Sequence, residues 1–170
     1  MRISTQTEVV KDLSLRYLFI EPSDKDQIKA IHRILFRCGI HMARHFLFHW
    51  LPPYPKRAIR RDCNSKAVVI VREESSNEYT STFQMWKGNE QTLQVGKIAT
   101  DPKYWGKGIG KANMLFMEQY ARGNGYDRID LEVYSKSNKA ISFYEHLGYR
   151  IIGTKRTIRF KVFIMEKCLP

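Results

Sequence analysis

Residues 98–112 read Ile-Ala-Thr-Asp-Pro-Lys-Tyr-Trp-Gly-Lys-Gly-Ile-Gly-Lys-Ala, with three glycines in five positions and Lys107 and Lys111 beside them. Such a stretch suits anion binding where it joins a strand to a helix. The first helical turn leaves backbone N–H groups unpaired, and the helix dipole favours negative charge there. Glycine lets a phosphate reach the backbone because no Cβ stands in the way. Spacing excludes two common phosphate motifs. A P-loop counted from Gly106 needs glycine at 111, where the chain has lysine, and no Ser or Thr follows at 112 or 113. A dinucleotide fingerprint needs its third glycine at 111 or 113, and both positions lack it.

A second constellation occupies residues 131–149, Leu-Glu-Val-Tyr-Ser-Lys-Ser-Asn-Lys-Ala-Ile-Ser-Phe-Tyr-Glu-His-Leu-Gly-Tyr. Leu131 and Val133 form one face of a strand. Ser137 or Asn138 suits the cap of the helix that follows. Ala140, Ile141, Phe143, Tyr144 and Leu147 give that helix a buried stripe, and Gly148 suits its C′ end.

Trp105-x-x-Gly108-x-Gly110, followed by Asn138, Ala140, Tyr144 and Gly148-Tyr149, resembles the coenzyme A site of the GCN5-related N-acetyltransferases, the GNAT superfamily. The resemblance spans roughly residues 92–153. It departs at Trp105, where the family's signature has Arg or Gln, so the backbone amides of Gly106, Lys107, Gly108, Ile109, Gly110 and Lys111 would carry the phosphate contacts. The resemblance implies an α/β fold of the α+β type. In it a mixed sheet of about seven strands is splayed at the coenzyme A site and flanked by about four helices, with residues 1–170 as a single acetyltransferase domain. It also implies acetyl-CoA as co-substrate, no metal, and direct acetyl transfer to a primary amine in a ternary complex. The amine would belong to a small molecule, an amino acid, or a peptide or protein N-terminus.

Roles follow by the same resemblance. The pantetheine arm would pair with the strand at Ile98, Ala99 and Thr100, the Ile98 N–H would donate to the thioester carbonyl, and Asn138 would contact the arm. Tyr144 would protonate the departing thiolate. Some members carry a glutamate base four residues before the Ile98 position; here that residue is Gln94, which excludes this version. Members acting on ribosomal-protein N-termini use the Glu of a Leu-Glu-Val strand twelve residues before the acid Tyr, and Glu132 has that context and spacing. No cysteine falls in either motif, which argues against a thiol nucleophile. Two alternatives stay open: a non-catalytic acyl-CoA sensor, and a ribosome- or RNA-associated basic protein.

The elements needed to hold these residues can be read along the chain. Strands are expected at 13–20, 66–71, 79–86, 92–100, around Leu131, at 149–152 and at 158–165. Helices are expected from Asp24 to about 36, where Gly39 breaks the pattern, then at 40–50, 108–122 and from Asn138, with one more turn at 56–61. His41, His45 and His49 would stack at i, i+4 and i+8 on the second helix, but no glutamate accompanies them as in a zinc-protease motif. Aromatics (Phe46, Phe48, Trp50, Tyr54) and cations (Arg156, Arg159) in the acceptor region suit an acceptor that bears a carboxylate.

Composition fits one compact enzyme. At 170 residues, 43 % hydrophobic and 12 % aromatic, the chain can bury a core and is not a disordered sequence. No stretch approaches a membrane span, and residues 1–10 lack the apolar run of a signal peptide. Three widely spaced cysteines suggest neither a disulfide framework nor a zinc site, so the expected setting is a reducing cytoplasm. Lys and Arg total 29 against 17 acidic residues, a net charge of +12 that steers anions such as coenzyme A. The same charge leaves a nucleic-acid or ribosomal partner open, and a homodimer is allowed.

Overall fold

The structure is a computed structural model that describes residues 6–10 and 13–170; residues 1–5, half of the segment without a leader-like run, lie outside it. In chain order the elements are β1 (Gln6–Val10), β2 (Leu13–Phe19), α1 (Lys25–Ala43), α2 (Lys56–Asp62), β3 (Ala67–Glu73), β4 (Glu78–Lys87) and β5 (Thr92–Thr100). A 3-10 turn at Pro102–Tyr104 leads to α3 (Ile109–Gly123), β6 (Arg128–Tyr134), α4 (Asn138–His146), β7 (Arg150–Arg156) and β8 (Lys161–Cys168). The strands form one sheet in the order β1-β2-β3-β4-β5-β6-β8-β7. Every neighbouring pair is antiparallel except β5–β6. The sheet has one strand more than the seven expected, because Gln6–Val10 pairs with β2.

Both faces of the sheet are covered, which is why β3 is a nearly unbroken apolar run. Val68 and Ile70 point to α1 and α2, joining Ile28, Ile31, Ile34 and Ile59. Val69 and Val71 point the other way, into a larger core with Phe83, Met114, Phe116, Leu131 and Met165. In that core Tyr17 stacks flat on Phe116, ring centroids 3.9 Å apart.

The first helical region departs from the periodicity. Helix α1 runs unbroken through Gly39, and no second helix forms at 40–50. Gly39 is buried, and a Cβ there would come within 3.3 Å of the Trp50 carbonyl oxygen. Glycine therefore makes room for the returning chain rather than ending the helix. Asp24 precedes α1 but caps nothing; its carboxylate accepts from the Glu21 N–H at 2.8 Å. Ser137 likewise stands at the N-cap of α4 without a side-chain cap bond. The final strand begins at Lys161 rather than 158, with Ile158 fully exposed in the turn before it.

Two irregularities shape the site. Strands β5 and β6 pair only from Thr92↔Arg128 to Val95↔Leu131, although β5 continues to Thr100 and β6 to Tyr134. Beyond Val95 they separate, and the edge of β5 loses its partner. On its other side β5 bulges against β4: Thr82 pairs with Ala99 and Gln84 with Gly96, so Lys97 and Ile98 together oppose Phe83. Lys97 takes a left-handed backbone, φ 51°.

Candidate active site

A cleft of about 1390 Å³ fills the splay between β5 and β6. Ile98, Ala99, Thr100, Trp105, Gly106, Gly108, Ile109, Gly110, Asn138, Glu132 and Tyr144 all line it. Lys107 and Lys111 do not; both are exposed outside it, and the Lys107 ammonium lies 5.0 Å from the Tyr104 ring.

The glycine loop has the local conformation an anion site needs. Gly108 is the N-cap residue of α3 with φ 83°, a region where a Cβ is strained, and no acidic side chain occupies the first turn. The N–H groups of that turn thus open at the cleft end, with no acidic side chain in the turn itself. Trp105 turns away from the loop. Its indole N–H donates to the Thr100 carbonyl at 2.6 Å, and its ring meets His41 edge-on at 4.4 Å. The Cys38 thiol donates to the same carbonyl at 3.1 Å, and Arg37 pairs with Asp101 at 2.8 Å. Helix α1 is in this way pinned to the end of β5.

Candidates for proton transfer approach from opposite faces of the sheet. Tyr144 packs on the α3–α4 side with Phe143 and Tyr149, and its hydroxyl has no hydrogen-bond partner among the described residues. Burial pushes its pKa up to about 12, so the phenol keeps its proton near neutral pH. On β6, Leu131 and Val133 face that core, while Asp130, Glu132 and Tyr134 alternate to the α1–α2 side. Glu132 is half-exposed and held by Lys155 at 3.0 Å. Gln94 accepts from the Trp86 indole at 2.7 Å, and Trp86 fits there because Gly96 has no Cβ to meet its ring.

Asp130 is a cleft residue that the motifs did not single out. Burial, and then Glu166 opposite it on β8, push its carboxyl up to about 6, and its Oδ1 is buried without a partner. The one sequence signal was its place two residues before Glu132, on the same strand face.

The histidine stripe is broken. His41 and His45 remain neighbours, with ring centroids 5.1 Å apart, but α1 ends at Ala43 and His49 lies beyond it. His49 instead packs against Tyr134 at 4.5 Å, inside the cleft. Burial, and next the Lys97 charge, lower its pKa to about 4.

Residues 28–149 match the family model described as the acetyltransferase (GNAT) family. The peptidyl-lysine N-acetyltransferase YiaC of Escherichia coli is 29 % identical over 114 residues, covering 61 % of this chain and 69 % of that protein. The fold is similar to that of the ribosomal-protein-S18-alanine N-acetyltransferase of Escherichia coli, at a TM-score of 0.71 and 17 % identity over 91 % of this chain and 94 % of the other. A GNAT family acetyltransferase of Elizabethkingia anophelis with acetyl-CoA bound aligns at a TM-score of 0.62 and 15 % identity, over 68 % of this chain and 84 % of the other. With the family model spanning most of the chain and the sheet splayed as that fold requires, this protein belongs to the GNAT family and is an acyltransferase.

Proposed function

We propose that the protein moves the acetyl group of acetyl-CoA directly to a primary amine within a ternary complex, with residues 1–170 acting as one catalytic domain. The observation that carries this reading is the join of an unpaired β5 edge to the Gly108-capped start of α3, in a cleft that also holds an unpartnered Tyr144 hydroxyl. The residues fit the co-substrate. The open edge from Ile98 to Thr100 offers backbone groups to an amide-bearing arm, and the α3 N-terminus offers N–H donors to its pyrophosphate. Asn138, exposed at the first turn of α4, would hold the arm from the other side.

Acetyl-CoA supplies an activated acyl group; the chain supplies alignment and proton transfer. Alignment of amine and thioester is worth up to about 7–11 kcal/mol in favourable intramolecular models. The Ile98 N–H would stabilise charge developing on the thioester oxygen. Glu132 would take the amine proton, and Tyr144 would give its own to the leaving sulfur from the opposite face.

Calorimetric titration with acetyl-CoA, followed by thiol release with a panel of amines, tests this. One-to-one binding and turnover are expected. Tyr144→Phe should bind acetyl-CoA normally but lose well over tenfold in kcat. Binding without thiol release in the wild type would favour an acyl-CoA sensor, and no binding up to millimolar ligand would overturn the site.

A further inference from the structure

The side of the cleft away from Tyr144 holds an exposed lysine whose ammonium makes no direct salt bridge among the described residues, with Asp62 and Glu132 acting on it only at longer range. Lys97 sits on the β5 bulge one residue before Ile98, in a left-handed conformation that costs a side-chain-bearing residue about 1–2 kcal/mol. Bulges beside active sites commonly re-aim a side chain, and strain that persists in such a place points to use. Here the lysine lines the cleft, with its Nζ 4.5 Å from the centre of the Tyr54 ring.

The nearby carboxylates are otherwise engaged. Glu132 holds Lys155 at 3.0 Å. Asp62 accepts from Tyr54 at 2.6 Å and from Gln84 at 3.0 Å, with Lys66 at 3.9 Å. Asp130 lies deeper, opposite Glu166 on β8, and is not among the carboxylates that act on Lys97. Lys97 therefore makes no ion pair among the described residues, and burial, with Lys66 next, depresses its pKa.

His49 also lines this cleft. His49 Nδ1 is buried with no hydrogen bond, and its ring is held against Tyr134 and Phe160. The Lys97 charge reaches His49 and disfavours a proton on its ring, which therefore stays neutral near pH 7. A bound anion would offset the Lys97 charge and lie against the aromatic walls that Tyr54 and His49 give the cleft.

We propose that Lys97, beside the Tyr54 ring, forms a carboxylate-binding subsite on the acceptor side of the cleft, so that the amine acetylated here carries a carboxylate. This rests on the acetyl-transfer reading above. The carboxylate belongs either to a free amino acid or to an acidic side chain near a peptide N-terminus.

A fragment pair tests the subsite without turnover. Phenylacetate and its uncharged isostere phenylacetamide are titrated against the full chain, with coenzyme A present, and read by indole fluorescence, since Trp50 and Trp86 line the cleft. The expected result is saturable phenylacetate binding, at least tenfold weaker for phenylacetamide. Lys97→Met should weaken phenylacetate at least tenfold while keeping wild-type affinity for coenzyme A. Phenylacetamide binding as well as phenylacetate, an unchanged Lys97→Met, or no phenylacetate binding up to tens of millimolar would overturn the subsite. None of these results depends on whether acetyl transfer occurs. Two acceptor sets then separate the sources: free amino acids against their amides, and C-terminally amidated peptides with Asp or Glu against those with Asn or Gln at the second position. In the set that turns over, Lys97→Met should raise KM for the carboxylate member at least tenfold and leave the amide member unchanged. Equal KM for both members in the wild type would also overturn the assignment.

Discussion

Glu132 and Asp130 point from β6 to the same side of the sheet, and their surroundings give them different habits. Glu132 sits at the more exposed end of the pair, with Lys155 keeping its carboxylate in place. Asp130 is deeper and holds its proton up to a pH of about 6. If Glu132 takes the amine proton, Glu132→Gln should lower kcat/KM most at low pH, where less of the acceptor is already neutral. An unchanged pH–rate profile would move the role to Asp130; Asp130→Asn would then remove the limb that rises through pH 6. A stability measurement on the same variant has a fixed sign. A carboxyl whose pKa is raised by folding destabilises the native state once ionised, so stability falls as pH climbs from about 4 through about 6. Asp130→Asn should thus melt above the wild type at pH 8, and this advantage should vanish below about pH 4.

At the scale of elements, the turn from β5 into α3 is anchored at its start by side chains, Arg37 on Asp101 and Trp105 on Thr100, and shaped at its end by the left-handed backbone of Gly106 and Gly108. Gly108→Val would force a branched side chain into a backbone at φ 83° and set its Cβ where a phosphate must approach. We expect at least a tenfold loss of acetyl-CoA affinity by calorimetry, with the far-ultraviolet dichroism of the sheet retained; normal affinity would remove this loop from the site. This element was legible in the sequence because its residue types state a conformational demand. The same holds for Gly148, which ends α4 at φ 89° as its position implies. Gly39 misled for a related reason: a helix-breaking type was present, but its cause was the Trp50 backbone packed against it, a contact eleven residues away in sequence. Lys97 and Asp130 were silent for that reason too, and His49 stood out only as part of a helical stripe that the fold breaks. Their placement comes from a bulge, a chain reversal and a cross-strand neighbour, none of which has a local pattern. The splay itself was expected from the family resemblance, and the register shows where it opens, after Val95.

For the molecule as a whole, the excess of 29 basic over 17 acidic residues must act on any polyanion, and coenzyme A is one. Its effect should appear in association more than in chemistry. Charges separated by more than about 10 Å are largely screened at 0.1 M salt, whereas the α3 N-terminus and the β5 edge act at contact distance. Raising salt from about 20 to 300 mM should therefore slow acetyl-CoA association several-fold, measured by stopped-flow indole fluorescence, while kcat at saturation changes little. An RNA- or ribosome-directed surface would behave otherwise. RNA affinity would fall by orders of magnitude over the same range, through release of counterions from each neutralised phosphate. It would also persist in Gly108→Val and in the presence of saturating coenzyme A. RNA binding that coenzyme A abolishes would instead place the polyanion on the cofactor loop, and the basic surface would then serve the acetyl donor alone.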